Sequence, residues 1–175
     1  MYYKLIRVAI LAVLASCNAF SQDSLVIKNR FLERKFTIGD NSFYTSRFQH
    51  LLTSKDYSRP GSEEFYFTIN GTPASSNGTN GLFKYSKHTS ARTGDGSQKV
   101  TIQLVGKQGS DAENVVVDLN YMVYDELPVV RKQLSITNKG PKPIAIADLE
   151  VERLNLVPVS SQQSELYTNY GSRFA

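Results

Sequence analysis

The chain has 175 residues, with 20 Lys or Arg against 16 Asp or Glu for a net charge of +4, and 41% of it is hydrophobic. That length and apolar fraction suit one domain with a sizeable core and exclude a disordered tail. One cysteine and two distant histidines, His50 and His88, exclude an internal disulfide framework and a cysteine-built zinc site, so neither a metal nor another cofactor is expected.

The amino terminus reads as an address. Lys4 and Arg7 precede the apolar run Val8-Ala9-Ile10-Leu11-Ala12-Val13-Leu14-Ala15, and small residues follow. This is the layout of a secretory signal, too short to cross a bilayer of roughly 30 Å as a helix. Export to the periplasm or the extracellular space is therefore expected, with residues 1–21 as the signal and residues 22–175 as the folded part. Two processing routes stay open. Ala19-Phe20-Ser21 offers small residues for cleavage before Gln22, whereas Leu14-Ala15-Ser16-Cys17 resembles a bacterial lipobox, in which Cys17 would carry lipid and anchor an outer-membrane lipoprotein. Removing residues 1–21 takes away Lys4 and Arg7 and no acid, which lowers the net charge from +4 to +2. The longest basic grouping, Glu33-Arg34-Lys35, carries its own acid, and no basic cluster is backed by stacking aromatics. Nucleic-acid binding is disfavoured.

Phe43, Tyr44, Phe48 and Tyr57 fall in a stretch read as loop-rich, beside Arg47, His50, Asp56 and Arg59. A sugar is held by an aromatic face against the apolar side of its ring, with charged groups on its hydroxyls, so this composition would suit a carbohydrate. The alternative is that these are core and rim aromatics of a sandwich.

Period-two alternation then recurs, and no stretch after Ser21 keeps helical spacing for three turns. Phe65, Phe67 and Ile69 alternate with polar partners before an Asn70-Gly71 turn. Residues 71–96, rich in Asn-Gly and Ser, are expected to be a surface excursion with two turns and a short strand near Leu82–Tyr85. Val100, Ile102 and Leu104 form one strand face, and Val115, Val117, Leu119, Tyr121 and Val123 another. Val130, Leu134 and Ile136 follow, interrupted once by Lys132, and Asn138-Lys139-Gly140-Pro141 is expected to close a hairpin. From Lys142 to Leu156 the apolar phase changes twice, which predicts bulges near Ala147-Asp148 and Glu152-Arg153. The expected fold is all-β, a large twisted antiparallel β-sandwich.

No phosphate loop, metalloprotease motif or serine triad is present. Asp148, Glu150 and Glu152 alternate along one expected strand, which would put neighbouring carboxylates roughly 7 Å apart on one face, near the separation of an inverting glycosidase pair. A solvated outer face is the preferred explanation, and neither these nor the adjacent Glu63-Glu64 and Asp125-Glu126 are assigned as a catalytic dyad.

The segment Tyr124-Asp125-Glu126-Leu127-Pro128-Val129-Val130-Arg131-Lys132, continuing through Leu134-Ser135-Ile136-Thr137-Asn138-Lys139-Gly140-Pro141-Lys142-Pro143 to Leu149-Glu150-Val151-Glu152, resembles the amino-terminal β-sandwich of the α-galactosidase family, glycoside hydrolase family 36 and its relatives. Ile27 to Arg34, Leu51 to Tyr57, Ser62 to Phe65 and Thr68 to Gly71 resemble earlier pieces of the same domain. The resemblance implies a sandwich of the galactose-mutarotase-like kind, incomplete at its carboxyl end, ahead of a (β/α) barrel whose two aspartates act as nucleophile and acid/base on a galactoside. Neither aspartate is expected in this chain, so the sandwich alone is expected to be inactive, supporting the barrel and mediating homo-oligomer contacts. Family members can line the sugar pocket with an aromatic of this domain, often a Trp. This chain has none, and Tyr57 with Asp56 and Arg59 is the substitute. Two other classes remain: a free-standing secreted carbohydrate-binding or surface-complex module, and a small glycosidase working through Asp148, Glu150 and Glu152.

Overall fold

Every regular element among the described residues is a strand, as the alternation requires. The computed structural model describes residues 23–78 and 81–157. The signal, Cys17 and the last eighteen residues lie outside them.

The strands are β1 (Asp23–Lys28), β2 (Leu32–Gly39), β3 (Ser42–His50), β4 (Lys55–Asp56), β5 (Tyr66–Ile69), β6 (Thr72–Ser75), β7 (Phe83–Arg92), β8 (Gln98–Gly106), β9 (Val115–Val123), β10 (Val130–Asn138) and β11 (Ile146–Glu150). They form three antiparallel sheets, ordered β1-β2-β3-β4, β10-β9-β8-β7 and β11-β5-β6. Their inner faces share one core. The Phe36 ring on β2 stacks on Phe43 of β3 at 5.0 Å and meets Tyr121 of β9 at 5.3 Å, while Phe65 packs edge-on against Phe83 of β7 at 5.3 Å. Val100, Ile102 and Leu104 of β8 and alternate residues of β9 from Val115 to Val123 complete it. Burying each of these larger apolar side chains contributes about 1.5–3 kcal/mol. The fold is an all-β antiparallel sandwich.

Two turns show why the chain reverses where it does. Asn70 and Gly71 both have positive φ, 50° and 85°, the backbone a two-residue hairpin between β5 and β6 demands. At the end of β8, Gly106 passes so close to the next turn that a Cβ would sit 1.7 Å from the Ala112 carbonyl oxygen. Only glycine fits there.

The structure corrects three local expectations. The stretch containing Phe43, Tyr44 and Phe48 is not loop: Ser42–His50 is β3, paired with β2 across a bulge between Lys35 and Phe36. Residues 71–96 are not mainly an excursion, because they hold β6 and the ten-residue β7. Only the start of β7, the short strand near Leu82–Tyr85, is expected from the sequence, because beyond it Ser86, Lys87, His88, Thr89 and Ser90 are all polar. β7 is an edge strand exposed along most of its length, and charges on an edge discourage pairing with another chain. Finally, Asn138-Lys139-Gly140-Pro141 turns without making a hairpin. Asn138 Oδ1 accepts from the Gly140 amide at 2.9 Å, but β11 then crosses to another sheet and pairs with β5.

The carboxyl-terminal segment does break twice. Pairing of β11 with β5 slips between Ala147 and Glu150, where Asp148 takes φ 52°. β11 ends at Glu150, and pairing resumes only as single bridges, Arg153 with Glu63 and Leu156 with Ser58.

Candidate functional site

The largest concentration of interacting charge lies inside the core. It begins with two strands that each place a cation in the inward phase: Arg34 between Leu32 and Phe36 on β2, and Lys132 between Val130 and Leu134 on β10. Their side chains are only 4% and 7% exposed. Burying such charges is expensive unless they are paired and fully hydrogen-bonded.

Glu64, in the bend before β5, supplies the pairing and is completely buried. Its Oε2 accepts from Arg34 at 2.6 Å, from Lys132 Nζ at 3.0 Å and from the Tyr121 hydroxyl at 2.5 Å. Its Oε1 accepts from the Thr45 amide at 2.8 Å and from the Thr45 hydroxyl at 2.5 Å. Thr45 Oγ1 in turn accepts from Arg34 Nε at 2.7 Å, and Lys132 also donates to the Glu64 carbonyl at 2.6 Å. Glu152, arriving after β11, closes the set by accepting from Arg34 and from Lys132 at 3.0 Å. Two cations face two carboxylates, so the cluster is neutral. It joins residues of β2, β3, β9 and β10 to the segments flanking β5 and β11, and so ties all three sheets together.

Burial alone would push the Glu64 carboxyl up. The Arg34 and Lys132 charges, with hydrogen bonds from Thr45 and Tyr121, outweigh it and hold the group well below the ordinary carboxylate range. Burial keeps the Tyr121 hydroxyl protonated far above its ordinary range. This chemistry is opposite to that of a glycosidase acid, whose carboxyl must be raised and must reach the scissile oxygen. Glu64 is sealed from any substrate, and its proton is gone at neutral pH.

The three alternating carboxylates do not share a face. Asp148 sits in the bulge, Glu152 turns inward to Arg34 and Lys132, and Glu150 stays outside, gripped by Arg153 through its NH2 group at 2.6 Å. The bulge undoes the alternation on which the inverting-pair geometry rested. Glu63 and Glu64 point opposite ways, Glu63 outward to Arg153 at 3.3 Å.

The carbohydrate candidates are only partly brought together. Asp56, exposed on β4, accepts from the Ser58 amide at 3.0 Å and its hydroxyl at 2.7 Å, with Arg47 Nε 3.6 Å away. Slight burial would raise its carboxyl, and these partners lower it. The Tyr57 ring lies against Phe48 at 6.4 Å, with the Lys55 ammonium 5.5 Å from its centre. Arg59 contributes a backbone bond to the Asn155 carbonyl at 2.8 Å. Phe43 is fully buried in the core, and His50 meets Thr53 at 3.3 Å. Among the described residues, surface clefts include one of about 310 Å³ beside Glu63, Tyr66 and Asn77, one of about 320 Å³ beside Arg92, Asp95 and Asp125, and one of about 140 Å³ on the outer face of β8–β10.

No family model matches the chain, and neither a curated protein nor a solved structure matches it. Among the described residues no group of three His, Cys, Asp or Glu is placed to hold a metal ion, and no helix is long and apolar enough to cross a membrane.

Proposed function

We propose that residues 22–175 are the non-catalytic β-sandwich of an exported α-galactosidase-like glycoside hydrolase, packed against its catalytic (β/α) barrel. The observation that carries this reading is an uncovered apolar strip. Ile146, Leu149 and Val151 are 37%, 53% and 43% exposed within six residues, on or just beyond a sheet edge that has no further strand among the described residues. Apolar side chains gathered at an open edge favour a docking surface. The ordered motifs from Tyr124 to Glu152 supply the identity of the partner, and the cation-locked Glu64 agrees with a supporting role. Residues 1–21 would direct export, with membrane attachment only if Cys17 is lipidated.

A tagged chain should capture a co-expressed α-galactosidase barrel, lose it on Ile146→Lys with Leu149→Lys, and turn over no p-nitrophenyl α-galactoside by itself. Turnover by the purified chain, or capture indifferent to both substitutions, would overturn the reading.

A further inference from the structure

The outer face of the β7–β10 sheet carries a group of donors that neither the core nor the docking strip uses. Strand register sets it. Lys99 of β8 and Arg131 of β10 both lie opposite Met122 of the intervening β9, and in the next row Thr101 and Gln133 both lie opposite Asn120. Two strand spacings separate the two cations at the backbone, about 10 Å, with Met122 between them on β9. The cleft of about 140 Å³ between them is lined by Lys99, Asn120, Tyr121, Met122, Arg131 and Gln133.

Neither cation has an ion-pair partner among the described residues, unlike Arg34, Arg47, Arg92, Lys132 and Arg153. Asn120 Oδ1 accepts from the Thr101 hydroxyl at 2.8 Å, and its amide hydrogens have no partner among the described residues. Gln133 has no side-chain hydrogen bond among the described residues. The closest carboxylate along β9, Asp118, is one row further and receives the Gln103 amide at 3.0 Å. A site offering an ammonium, a guanidinium and two amides is a set of donors for an oxyanion. The cleft is roomier than one small anion needs, and Met122 gives it an apolar floor.

We propose that this saddle binds a monosaccharide unit bearing a carboxylate or a sulfate: Lys99 and Arg131 clamp the anionic group, Asn120 and Gln133 take neighbouring hydroxyls, and Met122 underlies the ring. The inference stands on this sheet face alone and needs no barrel, so its failure and that of the docking reading are separable.

Titration of the full chain by calorimetry or NMR with galacturonate, galactose 6-sulfate, galactose and inorganic sulfate tests it. The two acidic sugars should bind, galactose and inorganic sulfate should bind much more weakly, and Arg131→Gln or Lys99→Gln should each weaken the acidic sugars about tenfold, the loss of one charge-assisted hydrogen bond. Both substitutions are at exposed positions, so folding is unaffected. Binding of galactose or of inorganic sulfate as tight as that of the acidic sugars, no binding of either acidic sugar, or unchanged affinity in both variants would overturn it.

Discussion

Two ionic clusters flank the same stretch of chain, and they differ in what surrounds them. Glu152 turns inward to Arg34, Lys132 and Glu64, whereas Glu150 and Glu63 stay outside with Arg153. The inner group holds two cations between two carboxylates, and the outer group a single one, Arg153, between Glu150 and Glu63. Inside, Arg34, Lys132 and Glu64 are almost entirely out of water and Glu152 is 28% exposed at the rim; outside, Arg153 and Glu150 are 39% and 48% exposed, and water replaces a partner that is lost. The inner group is neutral and centred on fully buried Glu64, whereas the outer one sets one cation against two carboxylates at the surface, so burial and charge balance together distinguish them. The inner cluster joins residues of all three sheets, while the outer one joins Glu63 to the end of β11.

The comparison can be broken by removing one acid at a time. Glu64→Gln leaves Arg34 and Lys132 buried with half their counter-charge, and should cost about 3–5 kcal/mol in urea unfolding, the range for breaking a buried ion pair. Acid should reach the same group. Because the Glu64 carboxyl is held below its unfolded value of 4.5, its contribution is complete above that pH and is lost progressively as pH falls below it. Unfolding midpoints should therefore drop steeply below about pH 4.5 in the parent and less steeply in Glu64→Gln. Glu152→Gln should cost less, about 1–3 kcal/mol for hydrogen bonds to charged groups, because its side chain is 28% exposed and water can enter where it stood. Arg153→Gln should leave the midpoint nearly unchanged, and any change should vanish in high salt.

How much of this was legible in the sequence follows the same division between inside and outside. β8, β9 and β10 were readable because one face of each is apolar at every second position. β3 and the length of β7 beyond Tyr85 were not: β3 carries a bulge that shifts its phase, and β7 is an edge strand with almost no buried face to leave a pattern. The inner cluster was hidden for another reason. Lys132 reads as an interruption in an apolar face and Arg34 as part of the basic grouping Glu33-Arg34-Lys35, yet each holds the inward phase of its strand. A charge in that phase is the signal, since it demands a buried partner. The partners, Glu64 and Glu152, come from a bend and from a segment beyond a bulge, where alternation cannot say which way a side chain points. The same bulge at Asp148 dissolved the apparent row of Asp148, Glu150 and Glu152.

The central claim is that Glu64 and Lys132 act as one buried unit, and a double-mutant cycle in urea unfolding with Glu64→Gln, Lys132→Met and the pair tests it most directly. The account predicts a coupling of about 2–3 kcal/mol, with the double variant more stable than Glu64→Gln alone because one uncompensated cation has gone. Additive losses, with a coupling below about 0.5 kcal/mol, would contradict it.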